Sequence, residues 1–148
     1  VIRSIRHVGG WGYKIPDAPI TKEILKITRF TAAKPSDIVA CFSGQFVAVE
    51  TKQFKKWEAL GLRHFQDEQI SGMDSIIKAG GRAFVFLNIR IKKPYENKLL
   101  IFDWEHLHEH FQLFGSVFAK DLQKKSFVES FIVDDKRLWN LTKWRRLL

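Results

Sequence analysis

The sequence predicts an α/β fold, a mixed central β-sheet flanked by helices. Three observations predict it. Residues 38–42 and 46–51 are two nearly continuous apolar runs joined by Ser43-Gly44, the pattern of a hairpin buried on both faces. A helical stripe follows, then a strong strand over 83–91. A shorter apolar run and a second amphipathic helix complete the alternation that layers helices on a sheet.

In chain order, residues 1–20 mix glycines, aromatics and prolines, with a short strand expected over 11–15 between loops. Residues 20–28 read as a short helix or a loop. The hairpin strands come next. Over 62–79, Leu62, Phe65, Gln69, Ile70, Met73, Ile76 and Ile77 recur at helical spacing, and Gly80-Gly81 marks the stop. Residues 98–102 form another short strand, and Trp104 to Phe114 an amphipathic helix. A short strand over 131–133 precedes a basic tail carrying Trp139, Trp144, Arg145 and Arg146, which suits packing on the domain, a dimer contact or DNA alike.

The length of 148 residues suggests one domain. A 45% hydrophobic content supplies a real core. The formal net charge is +9 and the pI about 9.8, which points to an anionic polymer or surface. The first 34 residues carry seven Lys/Arg against Asp17 and Glu23. Cys41 stands alone, so no disulfide forms within the chain, which fits a reducing, intracellular setting. No apolar run approaches the ~20 residues of a membrane span, and no signal-peptide pattern is present.

The chemistry concentrates in Pro35-Ser36-Asp37 and Glu50-Thr51-Lys52. Glu50 and Lys52 stand two apart on a strand and so share a face. The turn at Ser43-Gly44-Gln45 folds Asp37 back toward Glu50. Two acids and a lysine in a small volume suit a divalent hard cation and a positioned water. The bland alternative is a surface ion pair worth ~0–1 kcal/mol with a turn aspartate beside it.

This arrangement resembles the PD-(D/E)xK nuclease signature, with Ser36 standing between the proline and the aspartate. A second stretch, Asp67-Glu68-Gln69-Ile70-Ser71-Gly72-Met73 followed by Gly80-Gly81 and Ala83-Phe84-Val85-Phe86, resembles Holliday junction-resolving enzymes of the RecU and archaeal Hjc type. The resemblance covers residues 11–103 and implies a restriction-endonuclease-like core forming a single nuclease domain over 1–148. It implies that Asp37, Glu50 and the Thr51 carbonyl ligate Mg²⁺ or Mn²⁺. It makes Lys52 the residue that orients or deprotonates the attacking water, and places Gln69 beside the site to hold a water or phosphate. The family's acidic residue on an N-terminal helix has no clear counterpart; Glu23 stands in the wrong context, and Asp17 is the alternative third acid.

The implied activity is metal-dependent resolution of four-way DNA junctions in recombination and repair. Paired cuts in a near-symmetric substrate imply a homodimer. The implied setting is intracellular, and a phage-infected host fits the small size. The rivals are a restriction- or repair-like nuclease on the same scaffold and a non-catalytic DNA-binding module. Lys14, Lys34, Lys55, Lys56 and Arg63 are the expected phosphate contacts, against a solvated surface as the plain alternative. Trp11 and Tyr13 suit base stacking, core or interface. His106-Leu107-His108-Glu109-His110 matches an inverted zinc-peptidase pattern, with Glu129 a conceivable third ligand, but reads better as a polar helix face.

Overall fold

The computed structural model describes residues 1–16, 34–125, 128–130, 132–133, 138–146 and 148. The chain begins with a short helix, α1 (Ile2–His7), followed by β1 (Trp11–Lys14). The hairpin β2 (Ile38–Phe42) and β3 (Gln45–Phe54) comes next. The strand β4 (Leu60–Gly61), a 3₁₀ turn (Leu62–His64) and α2 (Asp67–Lys78) lead into β5 (Arg82–Ile91) and β6 (Glu96–Asp103). Then follow α3 (Trp104–Phe114), β7 (Ser116–Val117), a second 3₁₀ turn (Ala119–Asp121) and α4 (Leu122–Lys125). The chain closes with β8 (Val128–Ser130), β9 (Ile132–Val133), β10 (Leu138–Trp139) and α5 (Thr142–Arg145).

The main sheet has the order β1-β2-β3-β5-β6-β8. Among the described strands of this sheet only the β3–β5 pair is parallel, because α2 provides the crossover that a parallel pair needs. The other pairs are antiparallel, so the sheet is mixed, as the sequence predicts. β3 and β5 lie at its centre. Their unbroken apolar runs follow from burial on both faces: Val47 and Val49 face one side, Ala48 the other.

Two cores result. On one face Ala48, Val85, Leu87 and Leu100 pack under Met73 of α2 and Trp104, Leu107 and Phe111 of α3. On the other, Val47, Val49, Phe84 and Phe86 pack under Ile5 and Val8 of α1 and Leu141 and Trp144 of the C-terminal segment. Trp144 is fully buried and meets Phe42, Phe84 and Phe86 edge to face, with centroids 5.3, 5.5 and 5.1 Å away. The sequence left open whether the tail packs on the domain; Trp144 does.

The structure corrects the helix expected over 62–79. His64 Nδ1 accepts from the Gly61 amide at 3.1 Å, and Phe65 is extended (φ −120°, ψ 144°). Phe65 turns inward against Trp104 and Phe111, which splits the helical stripe. α2 begins only after Gln66, whose amide donates to Gln69 Oε1 at 3.1 Å. Asp67 and Glu68 in its first turn complement the helix dipole. Gly80, at φ +84°, ends it, with the Gly80 and Gly81 amides donating to Ile77 and Ile76 carbonyls. α1 is a second correction, since 1–10 reads as loop: six residues carry too little periodicity to register, and the helix is held by burial of Ile5. The segment expected over 20–28 lies outside the described residues, as does Phe131 of the strand expected over 131–133; Ile132 and Val133 form β9.

Candidate active site

The hairpin register places Ile38 opposite Val49, so Asp37 leaves β2 beside Glu50. Glu50 is 1% exposed, in the row of β3 that continues through Val85 and Phe102. Its Oε1 takes two donors: Gln69 Nε2 at 2.6 Å and Lys52 Nζ at 2.9 Å. Lys52 Nζ also donates to Gln69 Oε1 at 3.1 Å and lies 4.8 Å from the centroid of Phe65. Glu50, Lys52 and Gln69 therefore form a closed triangle between β3 and α2.

Asp37 is held from the other side. Its Oδ2 accepts the Thr51 amide at 3.0 Å and the Thr51 hydroxyl at 2.5 Å. Its Oδ1 pairs with Lys34 Nζ at 2.8 Å. Helix α2 approaches this segment closely: a Cβ on Gly72 would sit 2.4 Å from Pro35 Cβ and 2.5 Å from its Cα. That approach lets Gln69, one turn earlier, reach Glu50.

The two acids are tuned in opposite directions. Burial pushes the Glu50 carboxyl up and the neighbouring Asp37 charge adds to this, outweighing Lys52 and Lys34. Burial also pushes Asp37 up, but hydrogen bonds from Lys34 and Thr51 outweigh it, and the net shift is downward. A pair of nearby carboxylates split in this way is a mark of functional sites.

The fit to a divalent cation is testable on one atom. Glu50 Oε2 is buried and has no hydrogen-bond partner among the described residues. A bare acceptor on a buried carboxylate is an oxygen that a hard cation can take. Mg²⁺ typically takes one or two carboxylates and keeps several waters, so Asp37 and Glu50 suffice in number. Among the described residues no cluster of three or more His, Cys, Asp or Glu side chains is arranged to hold a metal. Asp17, the alternative third acid, lies outside the described residues.

The expected phosphate contacts divide. Lys14 is exposed and lines a cleft of about 560 Å³ with Asp37, Thr51 and Lys52. Arg3 of α1 and Asn88 of β5 line the same cleft; the sequence reading missed both. Lys34 enters the site as the partner of Asp37. Lys55, Lys56 and Arg63 are exposed beyond the end of β3. Trp11 and Tyr13 are exposed on β1, stacked with centroids 6.3 Å apart. The histidine-rich helix assembles no metal cage among the described residues: His106 meets Asp103, and His108 meets Asp74 and stacks on Trp104.

The family model for RecU, Recombination protein U, matches residues 16–139 of this chain. The chain belongs to the RecU family. This bears out the resemblance to junction-resolving enzymes of the RecU type. "Holliday junction resolvase RecU" of Leuconostoc mesenteroides subsp. mesenteroides is 30% identical over 108 residues, covering 70% of this chain and 51% of that protein. This RecU-family chain thus spans about half the length of the curated relative it matches. The solved structure of Archaeoglobus fulgidus Hjc, a Holliday junction resolvase from an archaeal hyperthermophile, aligns at 17% identity and a TM-score of 0.48, over 72% of this chain and 73% of that one. No described helix is long and apolar enough to cross a membrane.

Proposed function

We propose that this chain acts as one divalent-metal-dependent endodeoxyribonuclease unit that resolves four-way DNA junctions. The bare, buried Glu50 Oε2, on the residue whose register position adjoins Asp37, is the observation that supports it most directly. Asp37 and Glu50 would hold Mg²⁺ or Mn²⁺, with the Thr51 carbonyl as the third protein ligand. A cation so held supplies an acidified water and charge against the phosphate.

The chain's own residues do the rest. Thr51, through its amide and hydroxyl, locks one Asp37 oxygen and turns that carboxylate toward the cleft. Gln69 fixes the Glu50 carboxylate and the Lys52 ammonium relative to each other. Lys52, held there, orients the attacking water and offsets charge building on the phosphate in the transition state. Preorganisation of this kind matters because the strand and helix are rigid and the groups need not be gathered during the reaction. Lys14 at the cleft, Lys34 on Asp37, and Lys55, Lys56 and Arg63 farther out would grip backbone phosphates. Resolution by symmetric cuts calls for two such sites, supplied by a homodimer.

The test is a labelled immobile four-way junction and a matched linear duplex, each with Mg²⁺, Mn²⁺ or EDTA. Symmetric metal-dependent nicks confined to the junction, giving 5′-phosphate ends, are expected. Cutting of both substrates alike refutes junction selectivity. Binding with no cutting under either metal refutes the nuclease.

A further inference from the structure

The hairpin that joins β5 to β6 is unused by the site. The strands pair as far as Ile91 opposite Glu96, and Lys92, Lys93, Pro94 and Tyr95 form an exposed tip. Arg90 is exposed as well, and Tyr95 is 74% exposed. Among the described residues no acid pairs with Arg90, Lys92 or Lys93. The one acid of the segment, Glu96, is engaged at the base: Trp57 Nε1 donates to its Oε2 at 2.9 Å, and Lys98 pairs with Oε1 at 3.2 Å.

That tryptophan connects two basic clusters. Trp57 directly follows Lys55 and Lys56, so its bond to Glu96 ties their segment to the hairpin. The parallel register reinforces the tie, since Phe54 of β3 lies beside Ile89 of β5. Lys55, Lys56, Arg90, Lys92 and Lys93 thus leave the sheet at one end and form one cationic surface. Large exposed cationic surface without acidic partners suits a polyanion.

Its distance from the candidate active site gives this surface a definite role. Val85 stands beside Glu50, and Ile91 lies six residues farther along the same strand. At about 3.3 Å per residue the base of the hairpin tip, at Ile91, is roughly 20 Å from the Glu50 row, with Lys92 and Lys93 just beyond it. Along a duplex strand at 3.4 Å per step, that span is about six base pairs.

We propose that the β5–β6 hairpin is a duplex-arm grip, whose Lys92 and Lys93 contact backbone phosphates about six base pairs from the cleavage point. The inference rests on the junction-nuclease reading for its point of reference. Contacts of this kind are sequence-independent and carry salt dependence, because each neutralised phosphate releases counterions.

The experiment measures equilibrium binding by the full chain and by K92A/K93A, in EDTA, over a salt series. The substrates are four-way junctions and linear duplexes, with arms of about twelve and about four base pairs, either side of the roughly six-base-pair reach. K124A/K125A, an exposed lysine pair in α4, controls for general loss of charge. The hairpin variant is expected to bind long-armed junctions more weakly, with the log–log salt slope reduced by about 1.8, two contacts at about 0.9 each. On short arms it should match the wild type. Unchanged affinity and slope on long arms overturn the proposal. Equal weakening on short and long arms also overturns it, because the contact would then lie at the crossover. Equal weakening by K124A/K125A overturns it as well, by reducing the effect to net charge. Should the wild type show no preference for junctions, the junction reading fails; the arm-length comparison on linear duplex then still decides whether the hairpin grips DNA.

Discussion

Gln69 Nε2 donates to Glu50 Oε1 at 2.6 Å, and this bond ties helix α2 to the strand carrying the buried carboxylate. The same side chain receives Lys52 at 3.1 Å, so one amide sets the position of both charged groups. Gln69→Ala removes both bonds, together with the one from the Gln66 amide, without adding a charge. Cleavage in single turnover should fall about 10- to 100-fold, the range for groups that orient metal ligands. Junction affinity in EDTA should stay within a factor of about three, because a neutral residue has been exchanged for another and no phosphate contact is lost. Full retention of cleavage would remove Gln69 from any positioning role.

Glu50 carries a stability cost that the site imposes. Burial, with help from Asp37, raises its carboxyl above the ordinary value. The folded state therefore holds this proton more tightly than the unfolded chain. In the window between the unfolded and the raised folded value, stability falls as pH rises, and the full cost stands above that window. Glu50→Gln removes the charge and keeps an oxygen for Gln69 and Lys52. In EDTA at pH 7 it should melt higher than the wild type by about 2–4 °C, corresponding to ~1 kcal/mol in a chain of this size. The gain should shrink as the pH approaches about 4.3, the unperturbed glutamate value, where the wild-type acid also becomes neutral. Addition of Mg²⁺ should raise the melting temperature of the wild type only. A variant less stable than wild type at pH 7 contradicts the electrostatic account.

Lys34 sits on Asp37 Oδ1 at 2.8 Å, where its ammonium competes with any cation drawn to that oxygen. The bonds from Lys34 and Thr51 hold the Asp37 carboxyl low, so its contribution to stability is present above the unfolded value and lost as pH falls through the folded one. Lys34→Met should tighten Mn²⁺ binding about fivefold, the equivalent of the ~1 kcal/mol of a part-exposed ion pair. Titration of Mn²⁺ followed by its electron-spin resonance signal checks this. Unchanged or weaker binding would mean that Lys34 swings clear at no cost.

Gly72 sets two effects against each other. Alanine inside a helix is favoured over glycine by about 0.8–1.0 kcal/mol. A Cβ at position 72 would meet Pro35 at 2.4 Å, with Pro35 Cα at 2.5 Å and its carbonyl oxygen at 3.0 Å. Backbone atoms yield little, and overpacking typically costs about 1–3 kcal/mol. Gly72→Ala is expected to be destabilising in urea, with a proportionate loss of cleavage as α2 is lifted from the Asp37 segment. A stabilised variant would show that helix and loop separate easily.

The chain's own letters determined much of this protein. The paired apolar runs at 38–42 and 46–51 could bury themselves only at the centre of a sheet. The i, i+2 spacing of Glu50 and Lys52 put both on one face, and the Ser43-Gly44 turn brought Asp37 back to them. These are local rules of strand alternation and turn closure, and they need no distant partner. The place of Gln69 beside these residues came from the family resemblance, and its direct bonds to Glu50 and Lys52 only from the fold.

Tertiary structure decided the rest, because each remaining feature depends on which segments meet. Phe65 breaks the expected helix because the sheet face offers it Trp104 and Phe111. Lys34 reads as one more cation of a basic segment until the fold sets it against Asp37. Thr51 anchors Asp37 through its amide and hydroxyl only because β2 begins where it does. Trp144 reads as part of a basic tail, yet it is buried because the second sheet face would otherwise expose Phe84 and Phe86. Burial is a property of the meeting of surfaces far apart in the chain, and no local pattern records which surfaces will meet.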